Sequence, residues 1–342
     1  MGVVSSRAAG SPKAPLADPP ERIFQLAAGF MASKFLFAAS DADLFALLAD
    51  GPATAREIHE RSGLPERTVR IVADAMVALG LLDRRGDRYE NGPEAAEFLT
   101  GRGAADLRPL LRFWDRLSYP QWSELARSVR TGEPAAPPDM TADEQRLFSE
   151  GVEAVTSGSA RALAAAYDFR THTDLLDLGG GMGRFSMAVL ERYPHMEATL
   201  YDLPPVIAMA TARWRDRPDA QRVRLEAGDF LRDPLPADHD VALLSHIVHG
   251  FSPEENRRLL TRVRERIAQR GRLLLVDFWM DPTHTSPVFG ALMSGEFLVR
   301  TGEGQSYSVE EGRSWLAETG WSFVDHLALD GPTSVLVAEN PA

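Results

Sequence analysis

The chain has 342 residues, 44% of them hydrophobic and 25% charged, a balance that suits an ordinary globular protein of two domains. Its formal charge of −12 works against a broad phosphate-binding surface, and the absence of cysteine excludes disulfides, thiolate metal sites and a cysteine nucleophile. No apolar run in the sequence approaches the roughly 18–20 residues of a membrane span, so a cytoplasmic protein without a membrane partner is expected.

Residues 1–20 are rich in Ala, Pro, Ser and Gly without a continuous apolar core and read as a disordered leader, not a secretory signal. Residues 21–100 read as a mainly helical domain. Its first stretch, Phe30 to Ala39, mixes small and large apolar side chains on nearly every face, as in a helix buried in a core or against another subunit. A short turn at Ser62-Gly63-Leu64-Pro65 joins two helices, and Arg84-Arg85-Gly86-Asp87-Arg88-Tyr89 closes a small β-wing, so a winged helix is expected. Residues 41–92 carry seven Arg and no Lys against ten acidic residues, a net of −3. A DNA reader presents a basic face, so the expected role is dimerisation, with no nucleic-acid partner. Residues 101–170 read as a helical connector, with Thr131 to Pro138 an exposed loop by its proline content.

From residue 171 to 342 the pattern becomes short apolar runs alternating with helical segments, the signature of an α/β domain with a parallel sheet. The runs are Leu175–Leu178, Ala198–Tyr201, Val223–Leu225, Val241–Leu244, Leu273–Val276 and Ser334–Ala338. Between the first run and a helix lies Asp177-Leu178-Gly179-Gly180-Gly181-Met182-Gly183, where glycines allow a sharp turn and close approach of a ligand to backbone amides. The spacing is not Gly-x-Gly-x-x-Gly, and no Lys-Ser/Thr pair follows, which excludes a P-loop. Asp202 ends the second run, where a carboxylate can accept two ribose hydroxyls, and Gly228-Asp229-Phe230 follows the third with a carboxylate and a flat ring suited to adenine. Asp177, Asp202 and Asp229 thus fall at the carboxyl ends of three successive strands, the edge at which open α/β sheets bind ligands.

With these residues the chain resembles the class I S-adenosylmethionine-dependent methyltransferases, and more narrowly the dimeric small-molecule O-methyltransferases of caffeate, acetylserotonin and antibiotic-tailoring type. Leu175 to Gly183 looks like that family's cofactor loop, Tyr201-Asp202-Leu203-Pro204 like its ribose-binding strand end, and Gly29-Phe30-Met31-Ala32-Ser33 like its dimerisation segment. The resemblance implies a Rossmann-like domain behind a winged-helix dimerisation domain, a homodimer with swapped helices, S-adenosylmethionine as donor and a small-molecule acceptor. The implied donor site comprises Asp177, Gly179, Gly181, Gly183, Asp202, Leu203, Gly228, Asp229, Phe230 and Ser245.

Leu243 to Phe251 is similar to the family's strand followed by His-Asp-Trp, which places His249 on the catalytic base and Asp277 on one of two carboxylates that orient it. Gly250 and Phe251 replace the family's aspartate and tryptophan, and Gly304-Gln305-Ser306-Tyr307 stands where the second acid is often found. Ser252-Pro253-Glu254-Glu255 reads as a capping box opening the next helix. His246 is expected beside the cofactor and acceptor, or packed internally, and His239 in a solvated loop. No metal site is assigned, because His246 and His249 lack a third ligand nearby in sequence. Phe289, Met293 and Phe297 recur every four residues and read as an acceptor-pocket face or as core, with Glu296 and Arg300 an ion pair. Carbon or nitrogen methylation, and a winged-helix ligand sensor, remain as alternatives to methylation of oxygen.

Overall fold

The computed structural model describes residues 20–137, 139–329 and 331–341; apart from Pro20, the leader expected at 1–20 lies outside them. The chain divides into two compact units, Met1–Gly92 and Pro93–Ala342.

In the first unit, the helix Glu21–Asp41 buries only Phe37, Ala39 and Ser40 fully and leaves Ile23, Phe24, Leu26, Phe30 and Met31 more than half exposed. At 21 residues and a mean hydropathy of 1.4 over its most apolar window, it is long and apolar enough to cross a membrane. That corrects the expectation that no such segment exists: scattered glycine, serine and charged residues break the run by eye, but not the average. Strand β1 (Ala53–Thr54) leads into the helix Ala55–Ser62, where Thr54 Oγ1 accepts from Glu57 N and Glu57 accepts from Thr54 N. Gly63 ends it with φ +73°, and the helix Glu66–Ala78 follows. Strands β2 (Leu82–Arg85) and β3 (Arg88–Asn91) form a hairpin, completed by β1 in the order β1-β3-β2. Its arginines are paired, Arg84 with Asp74 at 2.9 Å, Arg85 with Glu90 at 2.8 Å and Arg88 with Glu57 at 2.9 Å, so the hairpin presents little free positive charge.

The second unit begins with short helices and the long helix Ala142–Ala166. The expected 131–138 loop is only partly exposed. Thr131 ends a helix, and Ala135 and Ala136 are half-buried, both donating to the Val299 carbonyl at 2.8 and 2.9 Å. Pro138 lies outside the described residues.

Seven strands follow: β4 (Asp174–Leu178), β5 (Glu197–Asp202), β6 (Val223–Ala227), β7 (His239–Ser245), β8 (Ile267–Asp277), β9 (Ser322–Ala328) and β10 (Ser334–Glu339). They form one sheet in the order β6-β5-β4-β7-β8-β10-β9, parallel from β6 to β8, with β10 antiparallel to both neighbours. Alternation along each strand serves two cores. Leu175, Val241, Leu243, Leu274 and Val276 face the helices 142–166, 184–192 and 204–214; Leu176, Leu178, Ala242, Leu244, Leu273 and Leu275 face the helices 253–264 and 309–318. Burial on both faces is why these strands read as continuous apolar runs. The chain leaves β4 toward one edge of the sheet and returns to β7 on its other side. The crevice between the carboxyl ends of β4 and β7 is therefore a topological switch point.

His239 is not a solvated loop residue. It opens β7 at 2% exposure, its Nε2 lies 2.9 Å from Thr199 Oγ1, and burial pushes its ring below the usual histidine range despite Asp174 nearby.

Candidate functional site

Three strand ends and two loops meet at the switch point. Gly179 N donates to the Tyr201 carbonyl at 2.8 Å, tying the turn after β4 to β5. Gly179 and Gly181 have φ of +69° and +61°, backbone that L side chains rarely adopt. A Cβ on Gly179 would press on Ile247 and Phe230, whereas at Gly181 the space is open. Gly183 precedes the helix Arg184–Arg192, whose amino end faces the loop as a positive dipole end.

Asp202 is half-buried and takes two backbone N–H groups, Gly181 N on Oδ2 at 2.8 Å and Leu203 N on Oδ1 at 2.7 Å. Burial raises its carboxyl above the usual range, with both N–H bonds opposing. A carboxylate oxygen accepts more than one hydrogen bond, so each retains capacity for a ligand hydroxyl. Phe230 lies beside Gly179 and meets Phe251 edge to face at 5.8 Å. Gly228 is buried against Tyr201, and Ser245 closes β7 at 9% exposure.

One of the expected donor-site aspartates acts differently. Asp177 has no exposed surface and accepts from Ser186 Oγ at 2.6 Å; burial pushes its carboxyl up to about 6, with Ser186 opposing. It holds the loop and the following helix from beneath, in place of the direct ligand contact expected. Asp229 uses Oδ1 to accept Leu231 N at 2.8 Å and Oδ2 to pair with Arg232 at 3.4 Å; as at Asp202, each oxygen accepts more than one hydrogen bond and keeps capacity for a ligand.

His249 sits in the short turn Val248–Gly250, immediately before the capping box of the helix Pro253–Arg264, where Ser252 Oγ accepts from Glu255 N. Its Nδ1 is 2.7 Å from Asp277 Oδ1, and no described residue bonds Nε2. Asp277 ends β8 at 3% exposure, and Phe278 N donates to the same oxygen at 2.8 Å. Burial alone would raise this carboxyl; the His249 imidazole, its hydrogen bond and the Phe278 N–H outweigh that and hold it below the usual range. An acceptor-only carboxylate beside Nδ1 fixes the proton there and leaves Nε2 as the basic nitrogen.

Sequence reasoning missed the supports of this turn. Asn256, fully buried, donates through Nδ2 to the Val248 carbonyl at 2.8 Å and the Phe251 carbonyl at 3.3 Å. Tyr307 OH donates to the Phe251 carbonyl at 2.6 Å. Gly304 packs so closely that a methyl there would run into the His249 carbonyl oxygen. A lone Asn inside a helix and a Gly in a polar loop carry no periodic signal.

His246 has φ +57° and donates its backbone N–H to Val276 O at 2.8 Å. Its ring lies 4.8 Å from that of Phe278 and 5.9 Å from that of His249, and its Nε2 is buried without a partner. Burial pushes this imidazole down to about 4 against the pull of Asp277. His246, His249 and Asp277 each bring one ligand-type atom within 4.8 Å of the others, so the fold supplies the third ligand that sequence spacing lacked. His284 lies outside this group and pairs with Glu311 at 3.1 Å. The closest two atoms of the group are His249 Nδ1 and Asp277 Oδ1, at hydrogen-bonding distance of 2.7 Å.

On the helix Val288–Arg300, Phe297 is 6% exposed and its ring stacks on His249 at 3.9 Å between centroids, tilted by 9°. Phe289 meets Phe278 edge to face at 5.6 Å, and Met293 is half-buried. Glu296 and Arg300 are 3.9 Å apart, but Glu296 Oε2 is taken by Ser118 Oγ and Trp122 Nε1, each at 2.5 Å, and Arg300 lies over Phe148. Ser306 Oγ donates to the Gly290 carbonyl at 2.8 Å and forms no bond to His249.

His246 generates a pH prediction. An imidazole whose folded value lies near 4 against 6.5 binds fewer protons folded than unfolded, so stability falls as pH drops through 6.5 toward 4, by about 3 kcal/mol in all. Asp177 runs oppositely, its raised value adding stability as pH falls below about 6. Urea unfolding of the wild type and His246→Phe, compared between pH 7 and 4.5, isolates the histidine. The variant should lose less stability over that range, and parallel curves would show that His246 does not remain neutral in the fold.

Comparison with known proteins accords with this geometry. Residues 24–101 match the O-methyltransferase dimerisation domain and residues 137–322 the O-methyltransferase domain. The chain is 32% identical over 330 residues to the tetracenomycin polyketide synthesis 8-O-methyl transferase TcmO of Streptomyces glaucescens, covering 94% of this chain and 97% of the relative. It is 32% identical over 322 residues to the N,N-dimethyltransferase OxyT of Streptomyces rimosus, covering 91% and 93%. Human N-acetylserotonin methyltransferase in complex with SAM superposes with a TM-score of 0.88 at 25% identity, over 97% of this chain and 100% of that one. With a family domain matched over more than half its length and a relative of this similarity along nearly all of it, the chain belongs to the O-methyltransferase family.

Proposed function

We propose that this methyltransferase acts on the hydroxyl of a small aromatic or polyketide-type acceptor, with His249 as general base and Asp277 as the group that orients it. The observation that carries the reading is the 2.7 Å bond from His249 Nδ1 to a buried Asp277 that is held ionised, with Nε2 unpartnered. S-adenosylmethionine, the donor, supplies a methyl group already activated by its sulfonium charge. The residues at the switch point fit it: the left-handed glycine turn leaves the Gly181 side open to a ligand, and Asp202 has acceptor capacity for ribose hydroxyls. Leu203, largely exposed beside Asp202, and Phe230 flank the adenosine region in this reading.

The remaining tasks of the protein are alignment and proton removal. A phenol with a pKa of about 10 is a poor nucleophile at neutral pH, and a neutral imidazole within hydrogen-bond reach accepts its proton as the nucleophile forms. The imidazolium then faces Asp277, whose negative charge stabilises it. Phe289 and Met293, on one helix face with Phe297, form the apolar wall for a flat acceptor, and His246, its ring 4.8 Å from that of Phe278, borders the acceptor in this reading. Residues 21–100 serve dimerisation as a winged helix, 101–170 connect, and 171–342 carry the chemistry, in a cytoplasmic enzyme. Nitrogen methylation is the second reading, favoured by the likeness to OxyT and by a Ser306 that turns away from His249.

Three measurements test this. His249→Ala should lower methyl transfer by about 10²–10⁴-fold, the usual contribution of general acid–base catalysis, with donor affinity little changed. Turnover near wild type at neutral pH would remove the base and favour an amine acceptor. By calorimetry, Asp202→Ala should weaken S-adenosylmethionine binding by about 1.5–3 kcal/mol, the range for hydrogen bonds to a charged group; unchanged affinity in a folded variant would take Asp202 out of the ribose site.

The third concerns assembly. The apolar face of the helix Glu21–Asp41, within the matched dimerisation domain, is covered in this reading by a second copy. Light scattering should give about twice the 37.6 kDa of one chain, and Phe24→Asp with Phe30→Asp should shift the protein toward monomer or aggregate. A monodisperse wild-type monomer would contradict it.

A further inference from the structure

We infer that Phe297 is a positioning residue for His249, fixing the plane of its imidazole in the absence of a second carboxylate. The inference rests on His249 being the base. The bond from Nδ1 to Asp277 Oδ1 sets one direction of the ring but leaves it free to swing about that axis. Such a swing would carry Nε2 away from an acceptor hydroxyl, and misplacement on the scale of about 1 Å is enough to lose much of the benefit of alignment. A second constraint is therefore needed, and it must act on the plane of the ring.

Ser306 does not provide it, because its hydroxyl is committed to the Gly290 carbonyl. The Phe297 ring does: 3.9 Å between centroids and 9° between planes is a face-on contact along the whole imidazole. Phe278 is nearly parallel too, at 21°, but its centroid is 6.0 Å away, too far to limit rotation. Phe297 is itself immobilised. It is 6% exposed, and the preceding residue, Glu296, is anchored through Oε2 by Ser118 and Trp122. On the backbone side, the close approach of Gly304 to the His249 carbonyl leaves the turn no room to retreat. Since one face of Phe297 is spent on His249, the residue is more than a wall for the acceptor.

The test has a spectroscopic arm that needs no acceptor and a kinetic arm that does. In histidine-labelled protein without ligands, ring-current shielding by Phe297 should place the His249 Hε1 resonance upfield as one sharp line, assigned by its loss in His249→Ala. Phe297→Leu should move it downfield and broaden it; Phe297→Tyr should keep it in place. An unmoved line in Phe297→Leu overturns the inference.

In the kinetic arm, with 2-naphthol as probe acceptor, Phe297→Leu should lower kcat about tenfold, equivalent to about 1.4 kcal/mol of barrier, with KM within about twofold and recovery in Phe297→Tyr. In the His249→Ala background the same substitution should lower the residual kcat by much less than tenfold, because most of its effect passes through the imidazole. A raised KM with unchanged kcat, or an equal loss in both backgrounds, would make Phe297 a pocket wall and overturn the inference. Failure of the base reading shows separately, as an undiminished rate in His249→Ala alone.

Discussion

The hydrogen bond between His249 and Asp277 joins the turn after β7 to the last residue of β8, and much of the catalytic edge is arranged around it. Parallel pairing of Ser245 with Val276 brings the two strand ends level, so one residue further along β8 the carboxylate meets the turn that carries the imidazole. Burial of Asp277 at 3% exposure would by itself favour the protonated acid, which could not anchor a proton on Nδ1. The imidazole and the Phe278 N–H reverse that tendency. The pair is therefore mutually dependent: the carboxylate stays ionised because the imidazole faces it, and the imidazole keeps its tautomer because the carboxylate is ionised.

A second constraint concerns the polar groups this edge buries. Asp177 lies at zero exposure with Oδ1 unpartnered, and His246 buries Nε2 without a partner in a left-handed backbone conformation. Each is unfavourable by local criteria, since unpaired buried polar atoms cost about 1–3 kcal/mol and a non-glycine residue at positive φ is strained. Both lie where the crevice is built. Asp177 ties the helix after the glycine loop through Ser186, and His246 redirects the chain between the end of β7 and the turn that carries His249. Local stability is given up to aim a loop at each edge of the crevice.

What the sequence made legible follows from the same physics. Strands buried on both faces must be continuously apolar, so β4, β5, β7 and the end of β8 were visible as runs, as were the glycine turn and Asp202 beyond β5. Edge strand β9 was not, because its exposed positions hold Ser322, Asp325 and His326 and break any apolar run. The role of Asp177 was read from its place at a strand end, yet position alone does not say whether a carboxylate faces the crevice or the helix beneath. His239 reads as a loop residue because it precedes the apolar run Val241–Leu244, at the end of the strand opposite His249; its partner, Thr199, is forty residues away. Asp277 stands beside His249 in the sequence only through the resemblance, and its nearness to His246 as well carries no sequence signal, for that proximity is created by sheet register.

On the proposed reading of His249 as base, a single carboxylate beside it is sufficient, because the roles of a carboxylate can be divided. An acid that orients a base supplies charge, which stabilises the imidazolium, and direction, which aims it. Asp277 supplies charge at hydrogen-bonding distance, where a second carboxylate would add repulsion and further desolvation to a site already nearly closed to water. Direction, in the inference drawn above, comes from a contact without charge, the Phe297 face, which becomes a cation–π contact when the imidazole takes up a proton. An aromatic ring also keeps the surroundings of the base apolar, which suits a flat, weakly polar acceptor better than a ring of acids would. At Gly250, the residue after His249, nothing lies within 4 Å of where a Cβ would be, so the turn carries no further side chain there.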